Sequence, residues 1–169
     1  MMTSAAIMKR IKQLTEDRSY YENLEEASST YIATANETPV IPEYDYKEVS
    51  NKIDELNAEI RAYKNTLNVV NSSVMVKVPG SNEECGTVND ILLKMAQLND
   101  RKDVLDSMRK KLPKRRIKAS YSSGRDPEYE FINYDLDQVK KDYDEVSKKI
   151  STLQMALDNH NQTYMINTD

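Results

Sequence analysis

Leu136, Val139, Tyr143, Val146, Ile150, Leu153 and Leu157 fall at alternating steps of three and four, and His160 and Tyr164 carry the steps onward. That is a heptad seam with apolar a and d positions, sustained for about four heptads. Lys140, Lys141, Asp144, Glu145, Lys148 and Lys149 lie between the seam positions and keep the other faces in water. A helix with one narrow apolar side gains stability only when another helix covers it. Tyr46, Val49, Ile53, Leu56, Ile60, Tyr63, Leu67 and Val70 repeat the rhythm. Two weaker stripes complete the pattern. Ile7, Ile11, Leu14, Tyr21, Leu24 and Tyr31 are interrupted by Arg18; Val88, Ile91, Met95, Leu98, Leu105, Met108 and Leu112 are interrupted by Lys102. The pattern predicts helices over about 3–35, 46–71, 88–112 and 136–164. The second and fourth, each about 39–44 Å long at about 1.5 Å per residue, match in length and could pair along their seams.

Residues of the right chemistry stand at the predicted starts. Thr3 or Ser4, Asp45, Thr87 and Asp135 are N-cap residues. Glu48 follows Asp45 by three and Gln138 follows Asp135 by three, as in a capping box. Pro39 and Pro42 separate the first two helices, and Pro113 closes the third. Two stretches change grammar. Val74, Val76 and Val78 alternate with Met75 and Lys77 before Pro79-Gly80. IKASYSS and EYEFINY flank a turn at Gly124-Arg125-Asp126-Pro127. These predict hairpins over about 73–86 and 116–134, expected to pair with each other or to project from one end of the bundle. The fold class is therefore all-α: an antiparallel bundle or coiled coil of four long helices with a minor β-ribbon, in one elongated domain over residues 1–169.

Composition sharpens this picture. Of 169 residues, 38% are hydrophobic and 31% charged; Trp is absent and Phe appears once, a recipe for amphipathic helices rather than a thick core. Eleven tyrosines supply most of the aromatic surface and suit seams with wet edges. The net charge of −4 argues against general nucleic-acid binding without excluding a local patch. One cysteine, Cys85, rules out an intrachain disulfide and agrees with a reducing compartment. No apolar run approaches the roughly 18–20 residues of a membrane span, and no export signal is read at the start. The expectation is a cytoplasmic protein without membrane insertion.

Candidate chemistry is sparse. Residues 109–118 hold seven basic side chains: Arg109, Lys110, Lys111, Lys114, Arg115, Arg116 and Lys118. They fit an anionic partner, and equally a helix C-terminus whose dipole they satisfy. No aromatic residue is interleaved in the run. Nine acidic and two basic residues lie between Glu16 and Glu48, a solvated face or a docking surface for a basic partner. His160, the single histidine, sits at the end of a seam and reads as packed. Metal binding would need further ligands, and no nucleophile motif or Gly-rich phosphate loop is present. No cofactor is called for. Asn68, Asn71 and Asn161 read as polar positions that fix register within the bundle.

The end of the second helix, LNVVN, resembles an Ile-Asn-x-Thr-Asn motif and places Asn68 and Asn71 on its asparagines. GTVNDILLKM is similar to a Thr-Leu-Thr-Asp/Glu-x-Leu stretch at Thr87, Asp90 and Leu92. The last helix resembles one ending in Asn-Trp-Thr, matched at Asn161 and Thr163, with Gln162 in place of the Trp and Ala96 where that family often has Asp. These motifs belong to an uncharacterised bacterial helical family of actinobacteria and clostridia, some members of which are labelled septicolysin. The resemblance implies a helical fold and no established activity. The reading is a non-enzymatic structural or interaction protein that self-associates through its helix seams, with another copy or a protein partner expected. The alternative is a nucleic-acid or anionic-surface binder using residues 109–118.

Overall fold

The computed structural model describes residues 1–36, 38–80, 84–117 and 128–168. The chain forms β1 (Met2–Thr3), α1 (Ser4–Ser28), α2 (Tyr46–Ser73), β2 (Met75–Lys77), β3 (Glu84–Thr87), α3 (Val88–Arg109), β4 (Lys114–Arg116), β5 (Tyr129–Phe131), α4 (Leu136–Thr163) and β6 (Met165–Ile166). Among the described residues the strands make three two-stranded antiparallel sheets, β1–β6, β2–β3 and β4–β5. Where the sequence reading treats residues 1–169 as one domain, the chain divides into two compact units: Met1–Val74 with Asp158–Asp169, and Met75–Leu157.

In the first unit α1 covers the stripe of α2. Ile7 clusters with Val70, Leu14 with Leu56 and Ile60, and the Tyr44 hydroxyl donates to Glu25 Oε1 at 3.0 Å, so the two helices run antiparallel. Each buried aliphatic contributes roughly 1.5–3 kcal/mol before ordering entropy is subtracted. Arg18 is half-buried and its Nη1 donates to Asn57 Oδ1 at 3.2 Å, so a polar pair fills the flaw in the stripe. Thr3 Oγ1 accepts from the Ala6 N–H, and Asp45 Oδ1 from the Glu48 N–H, which caps both helices as expected. The pairing of β1 with β6 has no local signal. Ile166, buried beside Ile7 and Val70, anchors it.

In the second unit α3 and α4 run antiparallel over a cluster of Val76, Val88, Ile91, Leu153, Ala156 and Leu157. Val76 is the inward residue of β2 and closes this cluster. Gly86 lies opposite Val76 with φ +112°, and a Cβ there would stand 3.1 Å from the Asp90 Cβ; glycine thus lets β3 pass the start of α3. Thr87 and Asp90 close a reciprocal capping box at that start. At the other end of α3 the Tyr134 hydroxyl donates to the Met108 carbonyl at 2.8 Å, and the Arg109 guanidinium lies 3.9 Å from the Tyr143 ring centroid. Leu105 and Val139 are buried.

Several expectations need correction. The first helix ends at Ser28 rather than near residue 35. Ser28, Ser29 and Thr30 offer hydroxyls that compete with the helical backbone, and beyond them Tyr31 and Ile32 are exposed. The third helix ends at Arg109, not at Leu112. Leu112 precedes a proline, which disfavours helical backbone, and its side chain is exposed. The two predicted hairpins neither pair with each other nor share an end. β2–β3 packs at the start of α3, whereas β4–β5 follows its finish. The turn at 124–127 lies outside the described residues. Asp135 caps α4 through the Asp137 and Gln138 N–H groups, but the Gln138 side chain points forward and donates to Asp142 Oδ1.

Candidate anion-binding surface

The basic run does not act as one patch, because the structure divides it. Arg109 pairs with Asp106 Oδ1 at 2.6 Å and Lys110 with Asp106 Oδ2. Hydrogen bonds from Lys110 and Arg109 hold the Asp106 carboxyl below the usual carboxylate range. Both cations are committed to the end of α3, as a helix C-terminus favours. Arg115 pairs with Glu130 at 2.7 Å across β4–β5. Lys111 and Arg116 are exposed and make no ion pair among the described residues. Lys118 lies outside them.

Lys114 is held differently. The register sets Lys114 opposite Phe131, Arg115 opposite Glu130 and Arg116 opposite Tyr129. Directly opposed residues share a face, and successive residues alternate. One face of the ribbon therefore carries Lys114, Arg116, Tyr129 and Phe131; the other carries the Arg115–Glu130 pair. The Lys114 ammonium stands 4.1 Å from the Tyr129 ring centroid and 5.5 Å from that of Phe131. The rings are 41% and 63% exposed, with centroids 6.5 Å apart. The aromatic platform missing from the linear run is thus supplied by a strand fifteen residues away. The expected hairpin over about 116–134 brings these strands together, but its pairing reaches back to Lys114, and only that register sets the rings beside the cations. Beside the ribbon a groove of about 580 Å³ is lined by Lys110, Lys111, Arg115, Glu130 and Asn133 among others. Residues 109–134 hold eight basic and three acidic side chains, a net of +5 in a chain of net −4.

The remaining named residues lie elsewhere. In α4 Val139, Leu153 and Leu157 are buried, and Leu136, Tyr143, Val146 and Ile150 are half-buried. Ala156, which the stripe omitted, is fully buried between seam positions. Asn71 and Asn161 are half-buried, but Asn68 is exposed and sits outside the seam, which removes it as a register residue. His160 is 7% exposed, its ring stacks on Tyr164 at 4.9 Å, and its Nε2 has no hydrogen-bond partner among the described residues. Burial pushes its pKa down. Cys85 is half-buried against the cluster of Val76 and Ile91. Among the described residues no group of three His, Cys, Asp or Glu is placed to hold a metal. No helix among them is long and apolar enough to cross a membrane.

No family model matches the chain. No curated protein matches it. Among solved structures it is similar to a functionally unknown conserved protein from Corynebacterium diphtheriae, with a TM-score of 0.56 and 15% identity over 98% of this chain and 99% of that one. At that identity the likeness concerns the fold alone.

Proposed function

We propose that this is a non-enzymatic interaction protein that binds a polyanionic partner through the β4–β5 ribbon. The observation that carries the reading is the ribbon face with Lys114 and Arg116 beside Tyr129 and Phe131, all of them exposed. Exposed rings grouped with unpaired cations offer an anionic partner both apolar contact and charge. Lys111, exposed beside the groove, adds a further cation at the same end of α3. The buried positions of the seam stripes pack inside their own units, whereas the ribbon's rings and cations are exposed. Within its own unit the ribbon is tied to the end of α3 by the Tyr134 hydroxyl, which donates to the Met108 carbonyl.

The test is binding of fluorescently labelled heparin at low salt. The wild type should bind, with affinity falling steeply as salt rises, because counterions are released on contact. A K111Q/K114Q/R116Q variant, altered only at exposed positions, should keep its helical circular dichroism and lose most of the affinity and of the salt slope. Absence of heparin binding by the wild type, or full binding by the triple variant, would refute the reading.

A further inference from the structure

We infer that the polyanion is a single-stranded nucleic acid, whose bases stack on Tyr129 and Phe131 while its phosphates meet Lys114 and Arg116. This deepens the reading above and rests on it. Two aromatic side chains at i and i+2 of one strand stand on the same face, about 6.6–6.8 Å apart along the backbone. The ring centroids here are 6.5 Å apart. That spacing gives two successive bases of an extended strand one ring each, the geometry by which sheet-borne aromatics hold single strands.

The Lys114 ammonium rests over both rings. An exposed cation–ring contact is worth about two- to fivefold in an equilibrium constant. A base stacked on an aromatic side chain is worth about 5- to 150-fold. A base therefore displaces the ammonium from the ring, and the freed Lys114 has a phosphate within the sweep of its four-carbon stem. Arg116, opposite Tyr129 on the same face, offers a second cation one step along the strand.

Other polyanions use this face less well. A duplex keeps its base faces stacked inward, so the rings would contribute nothing. An anionic membrane surface rewards a broad apolar face backed by cations. This face is two rings wide, with Glu128 and Glu130 as its chain neighbours.

The experiment is fluorescence anisotropy of labelled oligo(dT) at low salt, with duplex DNA, heparin and phosphatidylserine vesicles as parallel arms. The variants are the K111Q/K114Q/R116Q triple and two aromatic doubles, Y129A/F131A and Y129L/F131L. The leucine double keeps apolar area on the ribbon while removing the ring faces. Both doubles should bind oligo(dT) at least about 25-fold more weakly than wild type and bind heparin unchanged. The charge triple should weaken every polyanion and cut the oligo(dT) salt slope by about two. Heparin binding that depends on the cations, together with oligo(dT) binding that ignores the rings, overturns the inference and leaves the polyanion reading standing. Duplex bound as tightly as oligo(dT), or ring-dependent vesicle binding without oligo(dT) binding, overturns it equally. Failure of the wild type to bind heparin and oligo(dT) alike overturns both.

Discussion

Truncation of Ile91 to alanine tests the packing of the Met75–Leu157 unit at its centre. Ile91 is completely buried among Val76, Val88, Leu153, Ala156 and Leu157. Removing three carbons from such a site loses their transfer free energy and leaves a cavity that the two helices and β2 fill only in part. Substitutions of this kind cost about 2–5 kcal/mol. For a chain of this size that is a fall in Tm of roughly 4–20 °C, at about 2–4 °C per kcal/mol. The control is Leu93→Ala on the same helix. Leu93 is 63% exposed, and its truncation should change stability by no more than about 0.5 kcal/mol. The pair is a test of register as much as of packing, because a rotation of α3 by two residues would exchange the two positions. Urea unfolding followed by far-ultraviolet circular dichroism measures both differences at a common m-value. An Ile91→Ala cost under about 1 kcal/mol, or a larger cost for Leu93→Ala, would refute the assigned face of α3.

Two further outcomes concern titratable groups. Burial lowers the His160 pKa, so the unfolded chain binds more protons than the folded one in the window between that lowered value and the ordinary histidine value of about 6.5. Stability from the neutral ring is complete above that value and declines as pH drops through it; in urea melts at pH 7.5 and 5.5, wild type should lose more than His160→Gln, and equal losses would reject the assignment. Thr87→Ala removes the Oγ1 that accepts from the Asp90 N–H at 3.2 Å and donates to Asp90 Oδ2 at 2.7 Å, at a cost of about 0.5–2 kcal/mol near neutral pH. The Thr87 hydroxyl and the Thr87 backbone N–H, both donating to Asp90 Oδ2, lower the Asp90 pKa; the alanine variant loses the first of these, so the cost should shrink as acid protonates that carboxyl, and a difference independent of pH down to about 3 would speak against the capping box.

The fold was legible where its causes are local. Thr3, Asp45, Thr87 and Asp135 each cap the helix expected of them, because capping involves residues two or three apart. The stripes of α2 and α4 identified buried faces for the same reason. Helix ends were harder: Tyr31 continues the spacing of α1 yet lies past its end, since periodicity says nothing of whether a partner is there to cover the residue. Pairing over distance was not legible. Nothing near Met2 announces Ile166, and length alone matched α2 to α4 when its cover is α1. The candidate surface was half visible. Its cations form a run, but its rings join them only through the register of β4 on β5.

The β1–β6 pairing bears on the order in which the chain can settle during synthesis. The cluster of Val76, Val88, Ile91, Leu153 and Leu157 is complete in sequence once Leu157 has left the ribosome. Ile7 and Val70 are available far sooner, yet their third buried companion, Ile166, is translated some nine residues after Leu157. Met2 waits for Ile166, far along the chain, to pair with it, a closure of high sequence separation that folding reaches slowly. A nascent chain stalled just short of Ile166 would leave the cluster of Ile7 and Val70 uncovered on the side that Ile166 closes.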